Sequence, residues 1–524
     1  MQAGVRKPVA QRTHHGSISI SISISISISI SISISSDIAV TPIRDNQFMR
    51  MRRLEFGDSL SGLLIDGVAD TPYVGAAFQL TRDKGVTVEV PYLSSPDVAQ
   101  FDHVQAWFKD QSPPTNMLLL TPEGTISLFE IAWGGHSENW GGRRASIGSV
   151  RPALAVFGDR DGALADPLVM GEMHSRLDGL NEWSRLSAVS TDNETDEEGR
   201  IQSVTMLLHR DDGITWQQGV ATMTIRAGWF HSPEQDGYDQ KTTVDDNVHI
   251  ESTFGSGPMP FWEHFVEQRK VANLMVFLFG RPLSFREHKL RDDLFASRMN
   301  GGRVYAHPLT EIISGHTYRE RRTEVPSKKD VGRPIAYMAQ IGAEGLAKWA
   351  EQYATWERFI LPSVSVLGRT GRFIEDVVIS TSMSIEAAGG ILGERHGEQA
   401  TWNRKRPTTA TYVYRCLDVL DVLWPDRIRD RVGLSRAIAN NYNDVKHYDR
   451  GEFPDHDESY VVSEINQMIV RLLAIYIIGR GEELLSSYRE GNNLYAIKQV
   501  LDGYGLRVDE TGRWHRDTND VTSA

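Results

Sequence analysis

The spacing of the hydrophobic residues changes once along the chain, near residue 255, and this change limits the folds that the chain can adopt. From about residue 53 to residue 254, apolar and polar residues mostly alternate, as in residues 86–90, and turn-forming residues interrupt the pattern. Such alternation is typical of strands with one buried face. After the run Gly-Ser-Gly-Pro-Met-Pro at residues 255–260, apolar residues recur every three or four positions, as in residues 461–476. That spacing is typical of amphipathic helices.

A chain of 524 residues is too long for one hydrophobic core. We therefore predict an α+β protein, in which a β-rich N-terminal sandwich or distorted barrel is followed by an all-α helical bundle. Hairpins are predicted where residues 117–120 and 126–131 flank Pro-Glu-Gly, and where residues 201–208 and 215–225 flank Asp-Asp-Gly. The predicted C-terminal helices are residues 344–361, 373–392, 407–424, 427–446, 459–478 and 494–501.

These patterns divide the chain into five parts. They are a low-complexity segment expected to be disordered or appended (residues 1–44), a β-rich domain (45–257), a helical connector (258–340), a helical bundle (341–505) and a tail (506–524). Residues 17–34 are nine Ser-Ile dipeptides, a monotony that no folded core requires. A tandem repeat in the coding DNA is an economical explanation, and we hypothesise that translation begins at Met49 or Met51.

The single cysteine, Cys416, excludes an internal disulfide bond and a zinc cluster made of cysteines. It falls on an apolar helical stripe, so we expect it in the core, and a reducing cytoplasm is the simplest location for the protein. The most apolar helix, residues 468–479, is interrupted by Arg471 and is shorter than the roughly 20 residues needed to span a bilayer. No membrane association is expected.

The net charge of −13 is unevenly distributed along the chain. Residues 181–254 contain 14 acidic and 5 basic residues, a balance of −9, whereas residues 401–436 contain 8 basic and 4 acidic residues, a balance of +4. The cationic segment is either a solvated helix face or a surface for the RNA backbone. The candidate RNA-binding residues are Arg404, Lys405, Arg406 and Arg436.

Polar side chains are concentrated shortly after the cationic segment, at residues 440–450. The sequence there is Asn-Asn-Tyr-Asn-Asp-Val-Lys-His-Tyr-Asp-Arg. They lie around the predicted end of a helix, directly before a loop rich in helix-breaking residues. Burying so many polar groups without partners would cost several kcal/mol, which indicates a site rather than a core. His447 suits proton transfer near neutral pH because an ordinary histidine has a pKa near 6.5.

This segment resembles the signature of the HEPN domains, helical bundles found in many prokaryotic ribonucleases, toxins and phage-defence proteins. Their signature is an Arg, four to six further residues and a His. His447 matches the His, whereas Asn440, Asn441 and Tyr442 occupy the possible Arg positions. The resemblance implies a metal-independent endoribonuclease in which His447 moves the proton of the ribose 2′-hydroxyl. The other candidate catalytic residues are Asn441 and Asn443 as hydrogen-bond donors to phosphate, Lys446 or Arg450 as the cation, and Asp444.

The layout of the whole chain resembles the ApeA family of prokaryotic phage-defence proteins. The resemblance rests on the string Leu-Asp-Gly-Leu-Asn-Glu-Trp-Ser at residues 177–184, on Glu386 in Ser-Ile-Glu-Ala-Ala, and on the His447 motif in a C-terminal bundle. It implies an N-terminal domain that controls a HEPN effector, which cleaves RNA, with tRNA as a candidate, to halt an infected cell. A homodimer and a phage-derived trigger are the expected partners, and no cofactor and no metal ion are expected.

Two alternatives stay open. Because the motif Arg is replaced, the bundle could be a non-catalytic module for RNA binding or dimerisation. Alternatively the acidic β-rich domain could be the active part, for example on carbohydrates, although it lacks a paired-carboxylate signature. Glu386 is interpreted as a partner of Lys446 or Arg450, or as a member of a structural ion pair. Three tryptophans of the β-rich domain are interpreted either as lining a ligand groove or as core anchors: Trp183, Trp216 and Trp229.

Overall fold

A closed six-stranded antiparallel barrel begins the fold in the computed structural model of the protein. The structure describes residues 54–517 except 69–72, 95–98, 139–144, 210–212, 237–238, 300, 448–452 and 491–492, together with one short strand near the N-terminus. The first seven strands of the chain are β1 (Ile32–Ile34), β2 (Ser59–Ile65), β3 (Val74–Thr81), β4 (Gly85–Leu93), β5 (Met117–Thr121), β6 (Gly124–Glu138) and β7 (Ala145–Phe157). The barrel has the strand order β2-β3-β4-β7-β6-β5 and closes through the pairing of β5 with β2. Of the two predicted alternatives, a sandwich or a distorted barrel, the structure therefore has the barrel. The predicted hairpin of β5 and β6 turns where Thr121 pairs with Gly124.

The barrel encloses a hydrophobic core of its own, to which helix α1 (Asp102–Lys109) contributes. Phe108 of this helix stacks on Tyr92, with ring centroids 5.5 Å apart. A Cβ atom at Gly148 of β7 would lie 2.1 Å from the Phe108 ring, so only glycine allows this approach. The alternation of buried and exposed residues along the strands thus becomes an apolar barrel interior.

The sheet continues beyond the barrel because β7 also pairs with a further strand. The remaining strands of the N-terminal half and its surroundings are β8 (Val169–Met170), β9 (Glu172–Leu177), β10 (Val189–Thr195), β11 (Ile201–Leu208), β12 (Ile214–Gln218), β13 (Ala221–Asp236), β14 (Asp239–Phe254), β15 (Met259–Pro260), β16 (Phe285–Arg291), β17 (Ser297–Arg298), β18 (Val304–Ala306) and β19 (Thr310–Ser314). From β7 the order is β19-β16-β9-β14-β13-β12, and every pairing in this extension is antiparallel. We call these six strands the sheet extension.

The predicted hairpin between residues 201–208 and 215–225 is wrong. Strand β11 pairs with β10, and β12 pairs with β13 across the two-residue turn Gly219-Val220. Gly219 has φ 62°, the left-handed conformation that such short turns require. The chain therefore turns inside the second predicted strand, where a glycine meets that requirement.

Residues 258–340, predicted as a helical connector, contain α3 (Phe261–Phe279), α4 (Gly315–Arg321) and α5 (Lys328–Val331), with α2 (Leu180–Ser184) earlier in the chain. They also contain β16 and β19, which join the sheet extension. A bulge after Phe285 interrupts the alternation of buried residues in β16, so the sequence carries no regular strand pattern there.

The C-terminal part is mostly helical, as predicted. Its helices are α6 (Met338–Gln352), α7 (Glu357–Leu367), α8 (Ile374–Leu392), α9 (Thr409–Leu420), α10 (Arg431–Lys446), α11 (His456–Ile477), α12 (Gly481–Leu484), α13 (Ser486–Arg489) and α14 (Tyr495–Gly503). Cys416 is fully buried, as expected. Residues of the predicted tail form a hairpin of β20 (Leu506–Val508) and β21 (Trp514–Arg516). Within the Ser-Ile repeat, the structure describes only β1, which pairs in parallel with β11.

Helix α11 is long and apolar enough to cross a membrane, but 67% of its most apolar 18 residues are buried inside the protein. A core helix of a bundle has the same composition, and thirteen residues of α11 are buried against its neighbours. Its apolar stripe is thus used for packing within the chain.

Helix α3 joins the two halves into one core. Thirteen of its nineteen residues are buried. It packs on β9 and β14 on one side and on α6, α7 and α11 on the other, where Phe277 stacks on Phe359 at 5.4 Å. One continuous hydrophobic cluster consequently runs from the sheet extension into the bundle.

Arg471 of α11 forms hydrogen bonds with the C-terminal end of α3. Its guanidinium donates hydrogen bonds to the carbonyl oxygens of Phe277 (3.0 Å) and Leu278 (2.8 Å), which the last turn of a helix leaves without helical partners. Gly280 ends α3 with φ 71°, and a Cβ there would lie 3.0 Å from the arginine. The charge that interrupts the most apolar helix therefore has a structural partner in the other half of the protein.

We predict that Arg471→Met lowers the free energy of unfolding by about 2 kcal/mol, because the substitution removes two charge-assisted hydrogen bonds and leaves the Phe277 carbonyl unpaired. The matched control is Arg507→Met, since the Arg507 side chain is 58% exposed. The control should change stability by less than about 0.5 kcal/mol in urea unfolding. Equal stabilities of the two variants would contradict the prediction.

Candidate functional sites

The sequence-predicted catalytic segment lies at the C-terminal end of α10. His447 is the residue that ends the helix, its side chain is exposed, and its backbone N–H donates to the carbonyl oxygen of Asn443. Lys446 is exposed as well, and its Nζ donates to the hydroxyl of Tyr442 at 3.2 Å and lies over that ring. Asp444 and Asn443 are half-buried. Arg450 lies outside the described residues.

Asn441 faces the interior rather than the solvent. Its side chain is 4% exposed, and its Nδ2 donates to the Ser459 hydroxyl in the first turn of α11 at 3.0 Å. Its Oδ1 is buried without a hydrogen-bond partner among the described residues. Tyr442 is also buried. Of the three positions where the HEPN signature places its arginine, Asn440 alone is exposed.

The N-terminus of α11 brings carboxylates close to this segment. Asp455 caps the helix by accepting from the backbone N–H groups of Asp457 and Glu458. Arg516 of β21 donates to Asp455 (2.8 Å) and to Asp457 (2.7 Å). Burial, followed by the negative charges of Asp455 and Asp444, raises the pKa of Glu458. The described surroundings of His447 are therefore rich in carboxylates.

Three of the four candidate RNA-binding residues, Arg404, Lys405 and Arg406, occupy an exposed turn. Asn403 and Arg406 exchange backbone hydrogen bonds, and the two residues between them, Arg404 and Lys405, have φ 48° and 64°. This is the geometry of a type I′ turn, for which Asn-Gly is the preferred pair. All three cationic side chains are exposed at the tip. We call residues 403–406 the basic turn.

Other cations of the same segment are used in structural contacts. Arg436 donates to the carbonyl oxygens of Ala400 (2.6 Å) and Glu510 (3.1 Å), which ties α10 to the chain before the basic turn. Arg415 forms a buried ion pair with Glu398 at 2.7 Å. Glu386 accepts a hydrogen bond from Thr409 at 3.2 Å.

A second site, which the sequence did not indicate, is a cavity of about 1350 Å³ on the sheet extension. One wall is the face of β13, β14, β9 and β16 that points away from α3, and residues 295–298, 305 and 308–311 around β17, β18 and β19 also line the cavity. Trp229 and Tyr305, which are 38% and 39% exposed, line it. Trp183 and Trp216, by contrast, are buried in the core. These two tryptophans are therefore core anchors, whereas Trp229 lines the cavity.

The cavity wall is charged because the strands alternate. Glu251 of β14 pairs with His174 of β9, and His174 pairs on its other side with Lys289 of β16. Neighbouring residues of each strand, such as Ile250, are buried on the opposite face against α3. The charged and imidazole residues of these strands that line the cavity are His174, Arg176, Arg226, Asp245, His249, Glu251, Glu287, Lys289 and Arg291. Glu172 contacts two of them, His174 and Arg291.

Two imidazole rings lie stacked at the centre of this wall. The centroids of His174 and His249 are 4.8 Å apart, and the ring planes differ by 18°. Glu251 Oε1 lies 2.9 Å from His249 Nε2 and 3.8 Å from His174 Nδ1. The remaining nitrogen of His174 lies 2.5 Å from Glu172 Oε1.

Burial and charge set the protonation of this group. Burial lowers the pKa of His174, although the hydrogen bond and charge of Glu172 act in the opposite direction. Burial raises the pKa of Glu172, but His174, Arg291 and Arg226 outweigh it and bring the pKa to about 2. Burial also raises the pKa of Glu251, but His249, His174 and Arg226 outweigh this effect, so the pKa of Glu251 is lowered as well. The cluster therefore combines ionised carboxylates with a His174 ring that favours its neutral form at neutral pH.

A weak signal of this cluster is present in the sequence. Glu-Met-His at residues 172–174 and His-Ile-Glu at residues 249–251 each place a histidine and a carboxylate two residues apart, on one face of a strand. The two tripeptides are 75 residues apart, counting from residue 174 to residue 249, so only the pairing of β9 with β14 brings them together.

The family described as ApeA N-terminal domain 1 matches residues 70–294 of the chain. The match includes the barrel from β3 onwards, most of the sheet extension, α3 and every residue of the imidazole and carboxylate cluster. No curated protein and no solved structure is significantly similar to the chain. Residues 70–294 are thus similar to the ApeA N-terminal domain.

On the α3 side of the cavity wall, His288 of β16 is fully buried, and its Nδ1 lies 2.6 Å from the Ser175 hydroxyl. Burial, and then the charges of Arg269 and Arg321, lower its pKa to about 3. Because the pKa is lower in the folded protein than the unfolded value near 6.5, the resulting stability is complete above about pH 6.5 and is lost as the pH falls towards 3.

We therefore predict that the wild-type free energy of unfolding falls between pH 7 and pH 5, with about 2 kcal/mol of the loss due to His288. In His288→Gln this part of the loss should be absent, whereas exposed His209→Gln should keep the wild-type dependence. Urea unfolding at the two pH values measures it. The carboxylates with lowered pKa act below about pH 4.5 and leave this window undisturbed. Parallel pH profiles for wild type and His288→Gln would contradict the prediction.

Proposed function

We propose that this chain is an anti-phage defence protein in which the ApeA-type N-terminal domain detects a ligand and controls RNA cleavage by a HEPN-type C-terminal bundle. The observation that carries the proposal is the match of residues 70–294 to the ApeA N-terminal domain, in a chain whose core continues into a helical half with a histidine at an exposed helix end. The cytoplasm is the compartment in which such a protein would meet both phage products and RNA.

The cavity is the proposed detection site. Its volume of about 1350 Å³ exceeds that of an ordinary small-molecule site, and its wall offers aromatic surfaces as well as cations and carboxylates. Strands β9 and β14 form the wall on one face and contact α3 on the other. A phage-derived ligand that changes the shape of the wall would therefore shift α3, to which Arg471 of α11 is hydrogen-bonded.

His447 is the proposed proton-transfer group. A base removes the proton from the ribose 2′-hydroxyl, that oxygen forms a bond to the adjacent phosphorus, and the 5′ oxygen of the next nucleotide leaves with a proton. Lys446 or Arg450 would stabilise the added negative charge, with Asn443 and Asp444 beside them. For Lys446 this requires exchanging its contact with Tyr442 for phosphate. No metal ion takes part in these steps, and tRNA is the candidate substrate.

The basic turn is the proposed RNA contact. Its neighbour Arg436 precedes His447 by eleven positions (447 minus 436), which is ~16 Å along a helix. That separation is on the order of the span of a few nucleotides of backbone. We further propose a homodimer formed by residues 341–505, in which two His447 segments face each other. Because α11 is buried within its own bundle, the dimer must use other surfaces.

A second candidate function is a non-catalytic module for RNA binding or dimerisation. The burial of Asn441 and Tyr442 favours it, because neither position can present an arginine to phosphate without rearrangement. The carboxylates at the start of α11 favour it as well, since they oppose the approach of a phosphate.

We predict that His447→Ala abolishes RNA cleavage and cellular toxicity while changing the free energy of unfolding by less than about 1 kcal/mol, because the side chain is exposed. Sequencing of cleaved RNAs from cells that express the full chain measures the first effect. His209→Ala, another exposed histidine, should cleave as the wild type does.

Introducing the arginine of the HEPN signature is the converse test. Asn440 is exposed and precedes His447 by seven residues, which places both on one helix face. Asn440→Arg should therefore raise cleavage, and the double variant with His447→Ala should be inactive. Cleavage that persists in His447→Ala would mean that another site is catalytic, whereas absence of cleavage by the wild type would favour the non-catalytic module.

We predict that Arg404→Asn, Lys405→Gly and Arg406→Ser together weaken RNA binding and reduce the slope of log affinity against log salt by about 2, since each phosphate contact to a single strand contributes about 0.7. Asn-Gly suits the type I′ turn, so the fold should be kept. The control removes three exposed cations elsewhere: Lys328, Lys329 and Arg333. An unchanged slope in the basic-turn variant, or an equal change in the control, would refute this role.

A further inference from the structure

The imidazole and carboxylate cluster on the cavity wall has the composition of a metal site. His174 Nδ1, His249 Nε2 and Glu251 Oε1 are its inward-facing atoms, and one ligand atom from each residue lies within 4.8 Å of the others. Two strands supply them, with Glu251 directly opposite His174 and with His249 two residues before Glu251 on the same face. Regular strands thus hold all three donors, and no loop is needed to assemble them.

The separations are close to those of a coordinated ion. In a tetrahedral zinc site with bonds of about 2.0–2.1 Å, neighbouring ligand atoms are about 3.3 Å apart. Here Glu251 Oε1 is 2.9 Å from one imidazole nitrogen and 3.8 Å from the other, which brackets that value. All three ligand atoms lie within 4.8 Å of one another, and binding one ion requires the two imidazole rings to turn out of their stacked arrangement.

Neighbouring residues hold the donors in position. Glu172 Oε1 contacts His174 Nε2 and thereby turns Nδ1 towards Glu251, the arrangement by which a carboxylate orients a metal-binding histidine. Glu172 is held in turn by Arg291 at 3.0 Å. Arg226 binds Glu251 Oε2 at 2.9 Å, which leaves Oε1 for the imidazoles.

The position of the cluster also suits coordination. His174 and Glu251 are each 6% exposed, while the cavity beyond them is open to a further ligand.

Two nitrogen donors and one carboxylate favour zinc and related transition metals over magnesium and calcium, which prefer oxygen ligands alone. The two arginines balance the two carboxylates, so a divalent ion would leave the cluster with a net charge of about +2. An anion or a hydroxide from the cavity is therefore the expected fourth ligand.

We propose that His174, His249 and Glu251 bind one divalent transition-metal ion of the zinc class, with Glu172 orienting His174 and with the fourth coordination position open to the cavity. The proposal is independent of RNA cleavage at His447. It gives the N-terminal domain a Lewis-acidic centre to which an anionic ligand in the cavity can bind.

The test uses the untagged full chain, treated with a chelator and then titrated with Zn²⁺ and, separately, with Co²⁺. We expect the wild type to retain one zinc ion per chain by elemental analysis after gel filtration. Co²⁺ should give the intense visible absorption of a four- or five-coordinate site. Absence of both from the folded wild type would overturn the proposal without recourse to any variant.

Three variants locate the site. His174→Ala with His249→Ala should weaken zinc binding by at least about 100-fold, and Glu172→Gln by about 10-fold or more, as for the loss of an orienting carboxylate. His231→Ala, an exposed histidine on β13, is the matched control and should bind as the wild type does. Circular dichroism and urea unfolding verify the fold of each variant.

The adjacent histidines at positions 14 and 15 are unchanged in every variant, so any zinc that they hold is common to all. If the double variant is unfolded, Glu251→Gln replaces it, since the amide preserves the shape of the side chain. Wild-type zinc affinity in the folded variant would show that the cluster is an ion-pair network only, and the proposal would then fail.

Discussion

The second half of helix α3, residues 271–279, is buried on all sides, and its need for cover on two faces is the constraint on which the rest of the structure depends. A surface helix needs one apolar stripe, but α3 has thirteen buried residues and must lie between two partners. The sheet extension covers one side and the bundle covers the other. Where the helix ends, Arg471 supplies the hydrogen bonds that its last carbonyl groups lack. The β half and the helical half are consequently parts of one core.

The same arrangement explains why charged and imidazole side chains lie together on the face of the sheet that points away from α3. Alternate residues of β9, β14 and β16 are used against α3, so the intervening residues are available for the cavity wall. His174, Glu251 and Lys289 become neighbours through strand register alone. The contiguous path from this wall to the end of α10 runs through α3 and α11, which contact each other, and α11 contacts α10.

Periodicity was sufficient to predict the coarse fold but not the pairings. The change of spacing near residue 255 correctly predicted a β-rich part followed by a mostly helical part, although strands β16 to β19 follow it. The ends of α8 and α10 lie within a few residues of their predicted positions. The predicted helix at residues 344–361 is two helices, α6 and α7, because a turn at residues 353–356 interrupts an otherwise helical pattern. The partner of β11 could not be inferred, since a strand pattern does not specify its neighbour. For the same reason the cluster of His174 and His249 was missed, whereas the exposed His447 at a helix end was found from local sequence alone.

The shared core also has a consequence for how such a protein can arise. Domains that exchange between genes usually carry their own cores and are joined by linkers, so a crossover in the linker leaves both parts intact. Here a junction at residues 255–260 would separate α3 from the strands that cover it, although that run is the most linker-like stretch of sequence. A new effector could replace the bundle only if it brought a surface that fits α3 and an equivalent of Arg471. The two halves are therefore expected to be inherited together, and substitutions on either side of α3 should be correlated among relatives.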